Sequence, residues 1–99
     1  MFLHLGSEIA VPKKEIIGIF DIQSTSKAKG NQQLLKAYLE AGYIPKSIMG
    51  EPRSFVITES RKRVSKTNKV IKENRLYYSL ISALTLQKRA GFIDEIEKF

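Results

Sequence analysis

Two segments, SFVITES (54–60) with its alternating pattern and RLYYSLIS (75–82), rich in aromatic and β-branched residues, flank a long and largely polar interval. A period of two sends successive side chains to opposite faces of a strand. Phe55 and Ile57 therefore fall on one side, Val56 and Thr58 on the other. Two strands that follow each other in sequence, with a long and mostly polar insert between them, pair as a hairpin with an extended connection. The chain must then build a sheet, and the polar interval runs out to the exposed end of that hairpin. Tyr77 and Tyr78 are split between the two faces by the same rule; a core or interface role is expected for both, with one free to stack on a base.

The interval itself, ESRKRVSKTNKVIKENR (59–75), holds seven of the seventeen basic residues of the 99-residue chain. Arg61, Lys62, Arg63, Lys66, Lys69, Lys72 and Arg75 stand against Glu73 alone, which gives +6 over residues 61–75 out of a total of +7. The remainder is close to neutral, so the positive field is local, and a local field of this kind favours a polyanion. The bland alternative is a solvated loop that keeps a small protein soluble. A membrane surface fits poorly. Val64, Val70 and Ile71 are the only apolar residues here, too few for the apolar face of an interfacial helix, and no run in the chain approaches the ~20 residues of a membrane span. Long cations on a flexible arm can follow a phosphate backbone. Such contacts give affinity without sequence preference and weaken with salt.

The rest of the chain supplies the body. MFLHL and SEIAV read as two strands meeting at Gly6 and Ser7. Pro12 makes PKK a turn or a strand edge. EIIGIFDI is a nearly continuous β-branched run, as expected of a strand covered on both faces. STSKAKGN reads as a loop. NQQLLKAYLEAG changes to helical spacing, with Asn31 at its start and Gly42 at its end. YIPKSIMGEPR reads as a connection. SALTLQKRAGFIDEIEKF is helical, capped by Ser82, with Leu84, Leu86 and Ala90 as its apolar stripe, Lys88 and Arg89 in its last turn and Gly91 closing it. The acidic tail DEIEKF adds a further turn or frays. The sum is one α+β domain over residues 1–99: a small, curved antiparallel sheet with two helices, one after the third strand and one C-terminal, and a basic insert at about 60–75.

Chemistry finds little purchase. There is no cysteine, hence no disulfide framework or thiolate metal site. His4 is the sole histidine and sits among Phe2, Leu3 and Leu5, where a packed or exposed role is expected rather than a catalytic one. Asp94, Glu95 and Glu97 lack the spacing of a metal cage. No glycine-rich phosphate loop is present. These features argue against an enzyme, a cofactor, a metal and a small-molecule substrate. MFLHLGSEIAVPKKE lacks the basic-then-apolar pattern of a secretory leader, so a cytoplasmic, nucleoid-associated location is expected.

The segments MFLHLG, VPKKEIIGIFDI, GEPRSFVIT, LYYSLISALTLQKRA and FIDEI, in this order, resemble the bacterial Rem family of extracellular matrix regulatory proteins, on its shorter RemB-like branch. The likeness weakens near Leu34, and the basic interval looks like an insertion into the family's final hairpin. The resemblance implies a compact α+β protomer assembled into a closed ring. In the RemA branch, such rings bind repetitive DNA through outer arginines and activate biofilm-matrix genes. Where that branch carries adjacent arginines, Gly50 is followed here by Glu51 and Pro52, with Arg53 the one base nearby, and Glu15, flanked by Lys14, replaces another arginine. The expectation is a DNA-binding transcriptional regulator acting as a homo-oligomeric ring on double-stranded DNA. Arg61 to Arg75 would form its phosphate-contacting arm, with Lys13, Lys14 and Arg53 as secondary contacts. The competing expectation is an oligomeric protein-interaction scaffold that binds no nucleic acid.

Overall fold

The computed structural model describes residues 1–22, 28–46, 48–64, 66–67 and 69–92. The acidic tail with Asp94, Glu95 and Glu97 lies outside them.

β1 (Phe2–Gly6) and β2 (Ile9–Pro12) form an antiparallel pair in which Leu3 faces Val11. Ser7 and Glu8 turn the chain with φ of 53° and 61°, the positive values at both central positions that match a tight turn to strand twist. Leu3, Leu5 and Val11 are buried, whereas Phe2 and His4 face solvent. A 3-10 turn, Lys13–Glu15, leads into β3 (Ile16–Asp21). There follow α1 (Ala28–Glu40), β4 (Ile44–Lys46), β5 (Ser54–Val64), β6 (Lys69–Ser79) and α2 (Ala83–Ala90). The larger sheet runs β3-β5-β6-β4.

The alternation of β5 is realised as expected. Val56 joins Leu3, Leu5, Val11, Ile19, Ala83 and Leu86 on the face covered by α2 and the β1–β2 hairpin. Phe55, Ile57 and Leu76 lie on the opposite face, under Leu35 and Tyr38 of α1. Tyr77 packs against the first cluster and Tyr78 against the second. β3 shares this logic: Ile19 points to one face and Phe20 to the other, its ring stacked 5.1 Å from Phe55. Each fully buried Leu, Ile or Phe contributes about 1.5–3 kcal/mol, so the sandwich of helix, sheet and helix is where the stability resides.

α2 ends as its sequence dictates. Ser82 Oγ accepts from the Thr85 amide at 3.3 Å, and Gly91 adopts φ 80° to close the helix. Its apolar stripe is Ala83, Leu86 and Ala90; Leu84 is 54% exposed, one position off the buried face.

The remaining differences from expectation share a cause, namely pairing to distant segments. Two sheets replace the single one, because β1 and β2 pair only with each other. The larger sheet is mixed: β4, expected to be a connection, runs parallel to β6 with Ile44 beside Arg75 and Lys46 beside Tyr77. Pro45 is tolerated there because β4 is an edge strand. Ile17 is exposed, at a register shift between Ile16 and Gly18 on the other edge strand. α1 begins at Ala28, three residues before Asn31, which instead donates from Nδ2 to the Asp21 carbonyl at 2.7 Å and ties the helix to β3. Among the described residues no helix is long and apolar enough to cross a membrane.

Candidate nucleic-acid interface

The basic interval is not a loop. β5 and β6 stay in register from Ser54↔Ser79 out to Val64↔Lys69, so only residues 65–68 separate the two strands. The cause can be read in composition. No glycine or proline interrupts residues 59–75, and Val64, Thr67, Val70 and Ile71 are β-branched. The expectation of a flexible arm is therefore corrected to a two-stranded ribbon. β3 leaves β5 at Thr58 and β4 joins β6 at Arg75. Beyond them, residues 59–64 and 69–74 pair only with each other. Six residues at ~3.3 Å each make a ribbon of about 20 Å. The 50 × 32 × 23 Å dimensions of the molecule are those of an elongated body.

Antiparallel register also assigns the faces, because directly opposed residues share one. Arg61 and Lys72 are opposed, as are Arg63 and Val70, and this face continues into the α1 side of the sheet. Lys62 opposes Ile71 and Val64 opposes Lys69 on the other face, which continues into the α2 side. Val70 and Ile71 are 52% and 49% exposed, one on each face, so neither face is apolar.

Each face carries one acid. On the first, Glu59 Oε1 lies 3.3 Å from Arg61 Nε and 3.6 Å from Lys72 Nζ. On the second, Glu73 pairs with Arg75 and lies 3.7 Å from Lys62 Nζ. The carboxylates thus engage four of the seven cations, although each such exposed pair contributes only ~0–1 kcal/mol to stability. Among the described residues Arg63, Lys66 and Lys69, at the outer end, have no ion pair. Sequence reasoning misses Glu59, because the run of cations begins only at Arg61. The i, i+2 spacing of Glu59 and Arg61 on one strand was the signal available, and with Glu59 included residues 59–75 carry +5. The Arg75 guanidinium is held charged above its ordinary pKa, first by its hydrogen bond with Tyr77 and then by Tyr77, Glu73 and Glu15 as neighbours, against the opposing effect of its own burial.

The ten candidate cations fall into three groups rather than one site. Seven lie on the ribbon. Lys13 and Lys14 belong to the 3-10 turn and border a cleft with Met1, Phe2 and Pro12. Arg53 precedes β5, at the end of the strand away from the ribbon tip, and lines a cleft with Asp21, Asn31 and Gln87. About eleven residues of extended chain, or roughly 36 Å, separate Arg53 from the tip. His4 is exposed opposite Ala10 and belongs to no group of three or more potential metal ligands among the described residues.

No protein-family model matches the chain. Over 97 residues it is 31% identical to extracellular matrix regulatory protein B of Bacillus subtilis (strain 168), a span of 98% of this chain and 99% of the relative. The likeness extends over nearly the whole of both chains. It takes in both sheets, both described helices and the hairpin that carries the ribbon, so the chain belongs to the Rem family of extracellular matrix regulatory proteins, on its RemB-like branch.

Proposed function

We propose that the protein is a DNA-binding regulator of extracellular-matrix genes that acts without catalysis, as a homo-oligomeric ring in the cytoplasm. The observation that carries the reading is the outer end of the ribbon. Arg63, Lys66 and Lys69 are exposed and unpaired among the described residues, beyond any cover from the body. The name of the similar protein supports the regulatory role. In this reading the ribbon supplies the phosphate contacts that the chain lacks around Gly50, where Glu51 and Pro52 stand beside a single base, Arg53. Three contacts per ribbon are weak alone. Several copies on one duplex add through effective concentration.

Fluorescence anisotropy on a labelled duplex, with light scattering on the same samples, tests the reading. Wild type binds at 50 mM salt as an oligomer, and each engaged ribbon contributes about 2.7 to the slope of log affinity against log salt, at ~0.9 per phosphate. The triple variant R63A/K66A/K69A loses at least tenfold in affinity. Equal affinity for both proteins removes the ribbon from the mechanism. Wild type that ignores duplex DNA at low salt leaves the oligomer a protein scaffold.

A further inference from the structure

The ribbon is charged alike on both sides. One face holds Arg61, Arg63 and Lys72 against Glu59; the other holds Lys62, Lys69 and Arg75 against Glu73. Each sums to +2. Even the unpaired cations are divided, since Arg63 opposes Val70 on one face and Lys69 opposes Val64 on the other. A ribbon lying flat on a phosphate backbone would use one face and leave the second in solvent, with no need for charge there. Apolar residues do not distinguish the faces either, with Val70 on one and Ile71 on the other, so neither suits a hydrophobic protein partner.

We infer that the ribbon stands edge-on in the major groove of B-form DNA, each face turned toward one of the two phosphate walls. This deepens the DNA-binding reading above and rests on it. The dimensions agree. Side chains on both faces of a single sheet layer occupy about 10 Å, the spacing at which sheets pack. The major groove is about 12 Å wide and 8.5 Å deep, so the ribbon fits between its walls, and two strands about 4.8 Å apart fit within its depth. The minor groove, about 6 Å wide, is too narrow. The major groove of A-form RNA is deep and closed to side chains. Shape therefore makes the ribbon selective for B-form DNA over duplex RNA. Its open edge adds a second fit. Over residues 59–64 and 69–74 the outer side of each strand meets no neighbouring strand among the described residues, so outward amides and carbonyls on the inserted edge face the groove floor and its base edges.

The experiment compares DNA and RNA duplexes of one sequence, bound by wild type, by R61A/R63A on one face and by K62A/K69A on the other. Wild type prefers DNA by at least tenfold. Both double variants lower the salt slope, each by about 1 to 2. Methyl green, which occupies the major groove, displaces the protein, and netropsin, which occupies the minor groove, does not. Loss confined to one double variant, equal affinity for DNA and RNA, or displacement by netropsin overturns groove insertion while leaving DNA binding standing. Wild type that binds neither duplex overturns both. The DNA–RNA comparison uses unaltered protein, so it decides the matter even if a variant misfolds.

Discussion

Ser79 sits where three segments meet. Its hydroxyl donates to the Leu5 carbonyl at 2.6 Å and accepts from the Ile81 amide at 3.0 Å, with the residue 1% exposed. Its register partner Ser54 donates to the Ile81 carbonyl at 2.7 Å. Between them the two serines fasten the β1–β2 hairpin and the start of the α2 connection to the larger sheet. Ser79→Ala leaves a buried carbonyl and a partly buried amide without their partner, at a cost of roughly 1–3 kcal/mol for each unsatisfied group. Ser82→Ala removes a helix cap and costs about 1 kcal/mol. Urea denaturation should therefore rank Ser79→Ala below Ser82→Ala in midpoint; the reverse order would mean that water or a shifted backbone replaces the serine. The two sites also differ in legibility. The Ser82 cap and the Gly91 stop are local, resting on residues three or four positions away, and sequence alone locates them. Ser79 depends on a carbonyl 74 positions earlier in the chain, which no local pattern encodes.

The ribbon shows the same limit for whole elements. Strand reading relies on apolar residues, which mark a strand only where at least one face is dry. Over Ser54–Thr58 both faces are dry, and the period of two alone separates Phe55 and Ile57 from Val56, as sequence expects. Beyond Thr58 both faces are wet, the alternation vanishes, and a paired strand reads as a charged loop. β4 hides for a related reason: its three residues are all exposed and include a proline. The location and sign of the basic region were legible, because charge needs no pattern, but its strand pairing and the two-sided division of its cations were not. That division has a consequence for binding. Glu59 and Glu73 already occupy Arg61, Lys72, Lys62 and Arg75, so under the DNA-binding function proposed above phosphate competes with carboxylate along the shaft and meets cations without an ion pair only at the tip. Neutralising both acids in E59Q/E73Q raises affinity for duplex DNA several-fold at 50 mM salt and steepens the salt slope, by up to about 0.9 for each cation released to a phosphate. An unchanged slope would show that the carboxylates do not hold those cations back.

At the scale of the molecule, charge and stability are kept in different places. Residues 59–75 carry +5 of the +7, which leaves +2 for the body. Nearly neutral bodies can pack against one another with little repulsion, while like-charged ribbons repel and splay outward. Among the described residues the ribbon contributes no buried residue to either cluster, and the nearest buried side chains are Thr58 and Leu76, at its root. Removing it should then cost the fold almost nothing. Glu59 and Asn74 are register partners, so replacing Ser60–Glu73 with Asn-Gly closes the hairpin with a two-residue turn of the type such strands prefer. The shortened chain should melt within a few degrees of wild type, since only exposed pairs worth ~0–1 kcal/mol each are lost. Under the proposed function its mass by light scattering should equal that of a wild-type ring less the deleted residues of each copy, and its affinity for DNA should fall to what Lys13, Lys14 and Arg53 supply. A smaller assembly would instead place the ribbon at the interface between copies. In that case its two open strand edges, not its cations, would be its working surface.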